Sequence, residues 1–533
     1  MKGRWYSKPG IVLGALGLGV LAFFVAMLPP DVHFGGDCGE MACDAWCLGV
    51  GHPTGYPLYA MLGKLLSLIV PVGTVSWRVA LLSALGGAVA VTLGALLVWR
   101  LTDDLLAAVV AGLALAADNT LASQATICEV YGLHLAFLAL VLLAVVQYAQ
   151  SGDRRWLNVA GLGVGLGAVH HVSIMLAAPA VAVYLLLHDP PGRDPEAPPL
   201  KLGERVTETL SAFGRMAGWA VLLLPIYLYF PIRAGVEPAM VWGETTTLDG
   251  FIAHLTGRMY AETLFDLTRV DVWRFFYNHV HLLVEDQQWL ALLGLVGVGA
   301  AIWQRRPVGW LLVVSAGLSL GFAANYNVGD RANFTLPAHL ATGLAAGLGA
   351  AWVRALVARR TGRGGAGWVA LGVLLVALPW VPGPPYWAWS PVRRVLSYAN
   401  MHGNRRAADV TDAALADVPA GQTLHSSLDE LTNAFWYRQM VDAQRRDVHI
   451  RQVTYITKPS EQRIALDWIW HDLRRGQRVF AAWLEPWVRA ELEPIAHAAS
   501  VELVPAGHAP PRPLGIAPVR TSQPLPATAD WSL

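Results

Sequence analysis

Residues 35–59 read GGDCGEMACDAWCLGVGHPTGYPLY. Asp37 and Glu40 stand three positions apart, and Asp44 lies one helical turn beyond Glu40. A carboxylate fixed at a helix start can serve as a general base toward a hydroxyl. Asp followed three residues later by Glu is also a capping box, and the two roles are compatible. Acids near a bilayer face are costly unless paired, solvated or functional. Asp44 reads as an ordinary solvated residue.

The next residues shape a turn. His52 precedes a proline, which makes its backbone extended. Gly55 permits an unusual turn, and Pro57 suits the first turn of a following helix. A functional reading puts His52 and Tyr56 over the pocket of Asp37; a purely structural turn fits equally. Lys64 and Arg78, at the far end of the loop, either face a phosphate or snorkel at the interface.

The cysteines are Cys38, Cys43, Cys47 and Cys128. In an oxidising compartment they suggest one or two disulfides. Cys43 and Cys47, a turn apart on one helix, are poorly placed to bond each other. Paired Cys-x-x-Cys motifs are lacking, so no zinc site is expected. Buried free thiols are the alternative.

These residues must be positioned by membrane helices. The chain of 533 residues is 55% hydrophobic and only 14% charged, where a soluble chain would carry about 25% charged residues. Its net charge of +1 gives no case for nucleic-acid binding. Apolar segments recur near 11–28, 79–100, 105–118, 130–150, 156–170, 172–187, 216–232, 287–303, 308–324, 336–353 and 367–384. They predict an all-α polytopic membrane protein with about eleven spans. The first apolar run has about twenty residues and lacks a small-residue cleavage site, which favours a signal anchor over a signal peptide.

Basic residues orient the spans. With Lys2, Arg4 and Lys8 in the cytoplasm, Arg100, GDRR (152–155), RDPEAPPLKLGERV (193–206), QRR (304–306) and VRALVARRTGRGG (353–365) all fall on the cytoplasmic side. The large first loop (29–78), 119–129, the His170–His171 turn, 233–286 and 325–335 then share the exoplasmic face, as do residues 385–533. That asymmetry predicts a working face outside. Within 385–533, helix-like stretches at 404–416, 430–442, 460–475 and 484–498 alternate with short β-like runs, which predicts a small α/β domain with a loose tail. Asp429, in HSSLDELTNAFWY, reads as a helix cap.

The motifs carry a family resemblance. GGDCGEMACDAWCLGVGHPTGYPLYAMLGKL resembles the D-x-G-E … LG-x-x-HPPGYPLY segment of a large bacterial polytopic family. That family is related to transmembrane protein O-mannosyltransferases and falls in the GT-C class of glycosyltransferases. QATICEVYGLH (124–134), GAVHHVSIML, YLYFPIRAGVEPAMVWGETTTLDGFIAHLTGRMY (227–260) and NYNVGDRANFTLPAHL (325–340) are similar to further family motifs in the same order. The resemblance covers nearly all of 11–350. The chain departs from the pattern at Cys38, Thr54, Ser123, Val172 and Glu244-Thr245. None of these removes an acid or histidine expected to matter.

The resemblance implies a GT-C-like transmembrane glycosyltransferase domain over 1–384, followed by the exoplasmic domain at 385–533. It implies a multi-pass protein of the bacterial inner membrane, and a polyprenyl-phosphate sugar as donor. The sugar, mannose-like, would pass to a hydroxyl acceptor such as Ser or Thr of exported proteins. Asp37 would be the base and Glu40 its support. Arg331 is the first candidate for the leaving phosphate, then Arg233 and Arg258. His52, Tyr56, Glu129, Tyr131, His134, His171, Trp242, Tyr326 and Asp330 would line the pocket. The expected partners are the lipid bilayer, a lipid-linked sugar and an acceptor protein or glycan. No nucleotide-sugar site is expected, no metal ligands are assigned, and a divalent metal is left open. Rival readings are a glycan- or lipid-directed sugar transferase, and a lipid or solute transporter. Acids gathered at one face favour an enzyme over a transporter.

Overall fold

The computed structural model describes residues 8–189, 200–361, 391–452, 459–483, 486–489 and 492–505. Ten of the eleven apolar segments expected from sequence are helical in it; the eleventh, 367–384, lies outside the described residues. Among the described residues, six helices are long and apolar enough to cross a membrane, or seven if one bent pair counts as a span. These include Pro9–Ala26, Val75–Thr102, Tyr131–Ser151 and Pro307–Ala324. The rest of the expected spans are shorter or broken, for a local reason. Asp118 interrupts the 105–125 stretch because its carboxylate caps a new helix, accepting from Leu121 N–H at 2.9 Å. The two halves, Leu105–Ala116 and Asn119–Ala125, meet at 67°.

That break is buried and held by charge. Asp118 takes His339 Nδ1 at 2.7 Å and Gln287 Nε2 at 2.9 Å. Asp286 accepts from the Thr120 hydroxyl at 2.6 Å and from Arg394 Nε at 3.0 Å. One polar knot thus joins the broken helix, helix Arg269–Gln287, helix Leu336–Thr361 and helix Pro391–Tyr398.

The polar loops converge at one end of the bundle. Val50 bridges Val241, Leu264 bridges Tyr326, and Asp37 N–H donates to Glu129 Oε1 at 2.8 Å. Lys64 and Arg78 are used locally. Lys64 Nζ donates to Trp46 C=O at 2.7 Å, and Arg78 Nη1 to Ser67 C=O at 2.7 Å.

The C-terminal region forms an α/β unit. Its strands are β1 (Thr423–Ser426), β2 (His449–Gln452), β3 (Val479–Ala481), β4 (Leu492–Ala496) and β5 (Val501–Pro505). They lie in the order β2-β1-β3-β5-β4. β1 pairs parallel with β2 and β3; β5 pairs antiparallel with β3 and β4. One sequence expectation is corrected here. The stretch 484–498 is not one helix: after the short helix Pro486–Arg489 it becomes β4, paired with β5 at the sheet edge. Pro494 is tolerated on such an edge strand.

Helix Asp429–Met440 docks this unit on the bundle. Its backbone at Asn433 presses so closely on Gly39 that a Cβ there would lie 2.5 Å from the Asn433 carbonyl. Arg438, 5% exposed, reaches across to Asp31 at 3.2 Å and also pairs with Asp412 and Asp442. Arg438→Ala leaves the buried Asp31 with only the more distant, half-exposed Arg405 at 3.7 Å, and removing one partner of a buried pair costs about 3 kcal/mol. The expected outcome is a lower melting temperature and faster proteolysis of the C-terminal unit; an unchanged digestion pattern would show that the pair does not hold it.

Candidate active site

Helix Cys38–Cys47 places the acids. Asp37 occupies its N-cap position but its side chain makes no capping bond, so the expected capping box does not form. The Glu40 carboxylate turns instead to the HPTGYP turn. Its Oε1 accepts from His52 N–H at 2.8 Å and contacts His52 Nδ1 at 3.0 Å. His52 Nε2 lies 2.7 Å from the Tyr56 hydroxyl and 3.8 Å from Asp37 Oδ2. The turn forms as its residues suggest: Gly55 has φ +75°, and Pro57 opens helix Pro57–Ile69.

Glu40 is buried, whereas Asp37 keeps 33% of its side chain exposed. Its backbone is pinned by Glu129, which comes so near that Gly36, at φ +53°, has no room for a side chain. Asp44 corrects the sequence expectation. It is buried against Gly49 and Gly51, and its Oδ1 has no hydrogen-bond partner among the described residues. The spacing of 37, 40 and 44 already puts it on the face of Glu40.

The carboxylates and His52 set one another's protonation. Burial pushes the Asp37 carboxyl up to about 7; His52 opposes the rise, and Glu40, Asp330 and Asp429 add to it. Burial lowers His52, but Glu40, Asp37 and Asp44 outweigh it and hold the imidazole up at about 10. Burial drives Asp44 and Glu129 well above the usual carboxylate range. At neutral pH His52 is therefore an imidazolium, donating from Nδ1 to Glu40 and from Nε2 to Tyr56.

Asp37, Glu40 and His52 each offer a donor atom within 4.8 Å of the others, a spacing that could admit a metal ion. As arranged, His52 engages Glu40 through Nδ1 and Tyr56 through Nε2, so a metal there would displace one of these contacts, and no step below is routed through one.

Other expected residues fall around this centre. His171 stacks on Tyr56 at 5.7 Å between ring centroids and lies 5.6 Å from Tyr131, with His134 behind it at 5.3 Å. The Tyr131 hydroxyl donates to Asp330 Oδ2 at 2.8 Å. Trp242 meets His52 edge-on at 6.3 Å. Tyr326 packs on Phe334, which also faces Tyr131.

The three arginines separate. Arg331 lies over the Phe275 ring at 4.4 Å, and its Nη1 is buried with no hydrogen-bond partner among the described residues. Arg233 is spent on the end of the acid-bearing helix, donating to Leu48 C=O at 2.8 Å and Cys47 C=O at 3.0 Å. Arg258 is half-exposed and paired with Asp249 at 3.0 Å. Sequence reasoning does not single out Phe275 or Phe334, although Phe334 stands within NYNVGDRANFTLPAHL, because which groups their rings meet is set by packing alone.

Asp429 also departs from expectation. Leu428 holds the N-cap position, and Asp429 sits in the first turn with Oδ1 accepting from Gln452 Nε2 at 2.7 Å. Its charge is one of those acting on Asp37.

The helical membrane bundle with a small α/β unit and an acid cluster at one end has the GT-C fold, as its likeness to a solved structure shows. The crystal structure of ArnT from Cupriavidus metallidurans bound to undecaprenyl phosphate superposes with a TM-score of 0.55 at 15% identity, over 93% of this chain and 98% of that one. At that identity the likeness concerns the fold. The sequence relatives are more particular. Residues 37–192 match the family model of the protein O-mannosyl-transferase TMEM260 N-terminal domain. Protein O-mannosyl-transferase TMEM260 of Mus musculus is 29% identical over 278 residues, which is 51% of this chain and 37% of that protein. Protein O-mannosyl-transferase tmem260 of Dictyostelium discoideum is 25% identical over 241 residues, covering 42% of this chain and 28% of the relative. The chain spans about a third of the length of the curated relatives it matches. The matched stretch includes Asp37, Glu40, His52, Tyr56, Glu129, Tyr131, His134 and His171.

Proposed function

We propose that the protein is a membrane glycosyltransferase that moves a mannose-like sugar from a polyprenyl-phosphate donor to a hydroxyl acceptor, Ser or Thr of exported proteins. The observation that carries this reading is Asp37: a carboxylate one-third exposed, pushed up to about 7 by burial, backbone-pinned by Glu129 and set beside His52. A base poised near the working pH combines availability with proton affinity.

In the proposed step the acceptor hydroxyl gives its proton to Asp37 as its oxygen bonds to the anomeric carbon. The bond from that carbon to the phosphate oxygen breaks, and polyprenyl phosphate leaves with the electron pair. Arg331 receives the phosphate charge, its Nη1 supplying the donor. Glu40 holds His52 and Tyr56, and His52 keeps a positive charge beside Asp37. Tyr131, Asp330, His171 and Trp242 shape the sugar subsite. The proposed setting is a bacterial inner membrane, with the loops and the C-terminal unit on the exoplasmic face. The ArnT structure, solved with undecaprenyl phosphate on the same fold, supports a lipid-phosphate donor.

The test is transfer by the purified protein from polyprenyl-phosphate mannose to a Ser/Thr-rich peptide. Transfer only to a glycan would move the acceptor class, and no transfer with any lipid-linked sugar would sink the enzyme reading. The pH profile is a second check. The base works ionised, so activity should rise as pH increases through about 7 and stay high until His52 loses its proton near 10. A profile flat from pH 5 to 8 would contradict Asp37 as base.

A further inference from the structure

All four cysteines are free and buried in this structure, yet they are not equivalent. Cys38 follows Asp37 directly, and Cys128 precedes Glu129 directly. Their sulfurs flank one hydroxyl: Cys38 Sγ is 3.8 Å and Cys128 Sγ 3.4 Å from Ser76 Oγ. Cys128 also donates to Ser76 C=O at 3.0 Å, so Ser76 is the point that the two thiols share. Cys43 and Cys47, by contrast, sit a turn apart on one helix.

We propose that Cys38 and Cys128 are a modification site, an oxidisable pair whose disulfide staples the Asp37 turn to the Glu129 turn. The inference stands independently of any sugar transfer.

The chemistry also separates the pairs. The neighbouring Cys128 draws the Cys38 thiol down to about 7, against the effect of burial, which favours Cys38 as the attacking thiolate. Burial pushes Cys43 well above the usual thiol range and Cys47 to about 12, and it raises Cys128 too, so Cys128 serves only to resolve the bond that Cys38 starts. The oxidant is a small-molecule disulfide. Cys38 thiolate attacks one of its sulfurs; the new S–S bond forms as the old one breaks, and one thiol departs. Cys128, giving up its proton, then attacks the Cys38 sulfur and releases the second thiol. Two protein thiols are oxidised and the disulfide is reduced to two thiols. Because both sulfurs are buried, exchange proceeds when this end of the bundle opens or before it closes in folding. The staple would fix the spacing over which Glu129 holds the Asp37 backbone.

The experiment incubates the full chain in detergent with oxidised glutathione, then alkylates it under denaturing conditions and maps the peptides. The expected result is loss of two of the four alkylatable thiols and one cross-linked peptide pair containing Cys38 and Cys128. Cys43 and Cys47 should be alkylated throughout. Cys38→Ser keeps a hydrogen-bonding group, abolishes the cross-link and leaves Cys128 alkylatable. Recovery of four free thiols, glutathione on Cys38 without linkage to Cys128, or a cross-link through Cys43 or Cys47 would each overturn the proposal. The wild-type measurement suffices on its own should the variant fail to fold.

Discussion

Asp37→Asn is expected to reduce sugar transfer by about 100- to 10,000-fold, the usual worth of a positioned general base. The substitution is nearly isosteric and leaves the Asp37 N–H bond to Glu129 in place. It removes only the capacity to take a proton and one negative charge beside His52. Donor binding should survive, so the loss should fall on kcat, with the donor KM little changed. The acid limb near pH 7 should vanish from whatever activity remains. Melting temperature is the control: Asp37 is partly exposed and makes no side-chain cap, so the fold should hold. Transfer within a few-fold of wild type would remove Asp37 from the mechanism and move attention to Glu129.

Arg331→Gln should cost about 100- to 1,000-fold, the scale of losing a preorganised donor to developing charge. Arg331 differs from the other two arginines in having a buried Nη1 with no partner among the described residues. Arg233 already serves two carbonyls, and Arg258 an exposed aspartate. Its seat over Phe275 favours a planar guanidinium, so Lys should rescue poorly. Both donor binding and turnover should suffer, which separates this variant from Asp37→Asn. The measurement is steady-state transfer at varied donor, with Arg258→Gln beside it as an exposed control expected to remain near wild type. Equal losses in the two variants would refute the phosphate role of Arg331.

Much of the site is legible in the chain itself, because its signals are local. Asp37 and Glu40 stand out as paired acids, and the turn from His52 to Pro57 as a backbone-determined bend. The spacing of Asp37 and Glu40 fits a capping box, yet none forms. His52 wins Glu40 because a buried carboxylate gains more from an imidazolium and a backbone N–H than from its own helix. Asp44 reads as solvated because spacing shows which face a residue occupies, not what covers that face. Sequence ranks the arginines but cannot tell them apart, since their difference lies in which carbonyls and carboxylates reach them.

The sequence by itself determined the membrane class, most of the helices, the acid-bearing loop and the α/β character of the C-terminal unit. These follow from hydrophobic runs, caps and turns, which act over a few residues. Only the tertiary structure decided the partners. Glu129 reaches Asp37 from the 119–129 loop, Asp330 meets Tyr131, Ser76 stands between Cys38 and Cys128, and Asn433 closes over Gly39. Such pairs join residues far apart in the chain. They are set by how helices pack at one end of the bundle, and that geometry, with the burial it imposes, is what raises the Asp37 carboxyl.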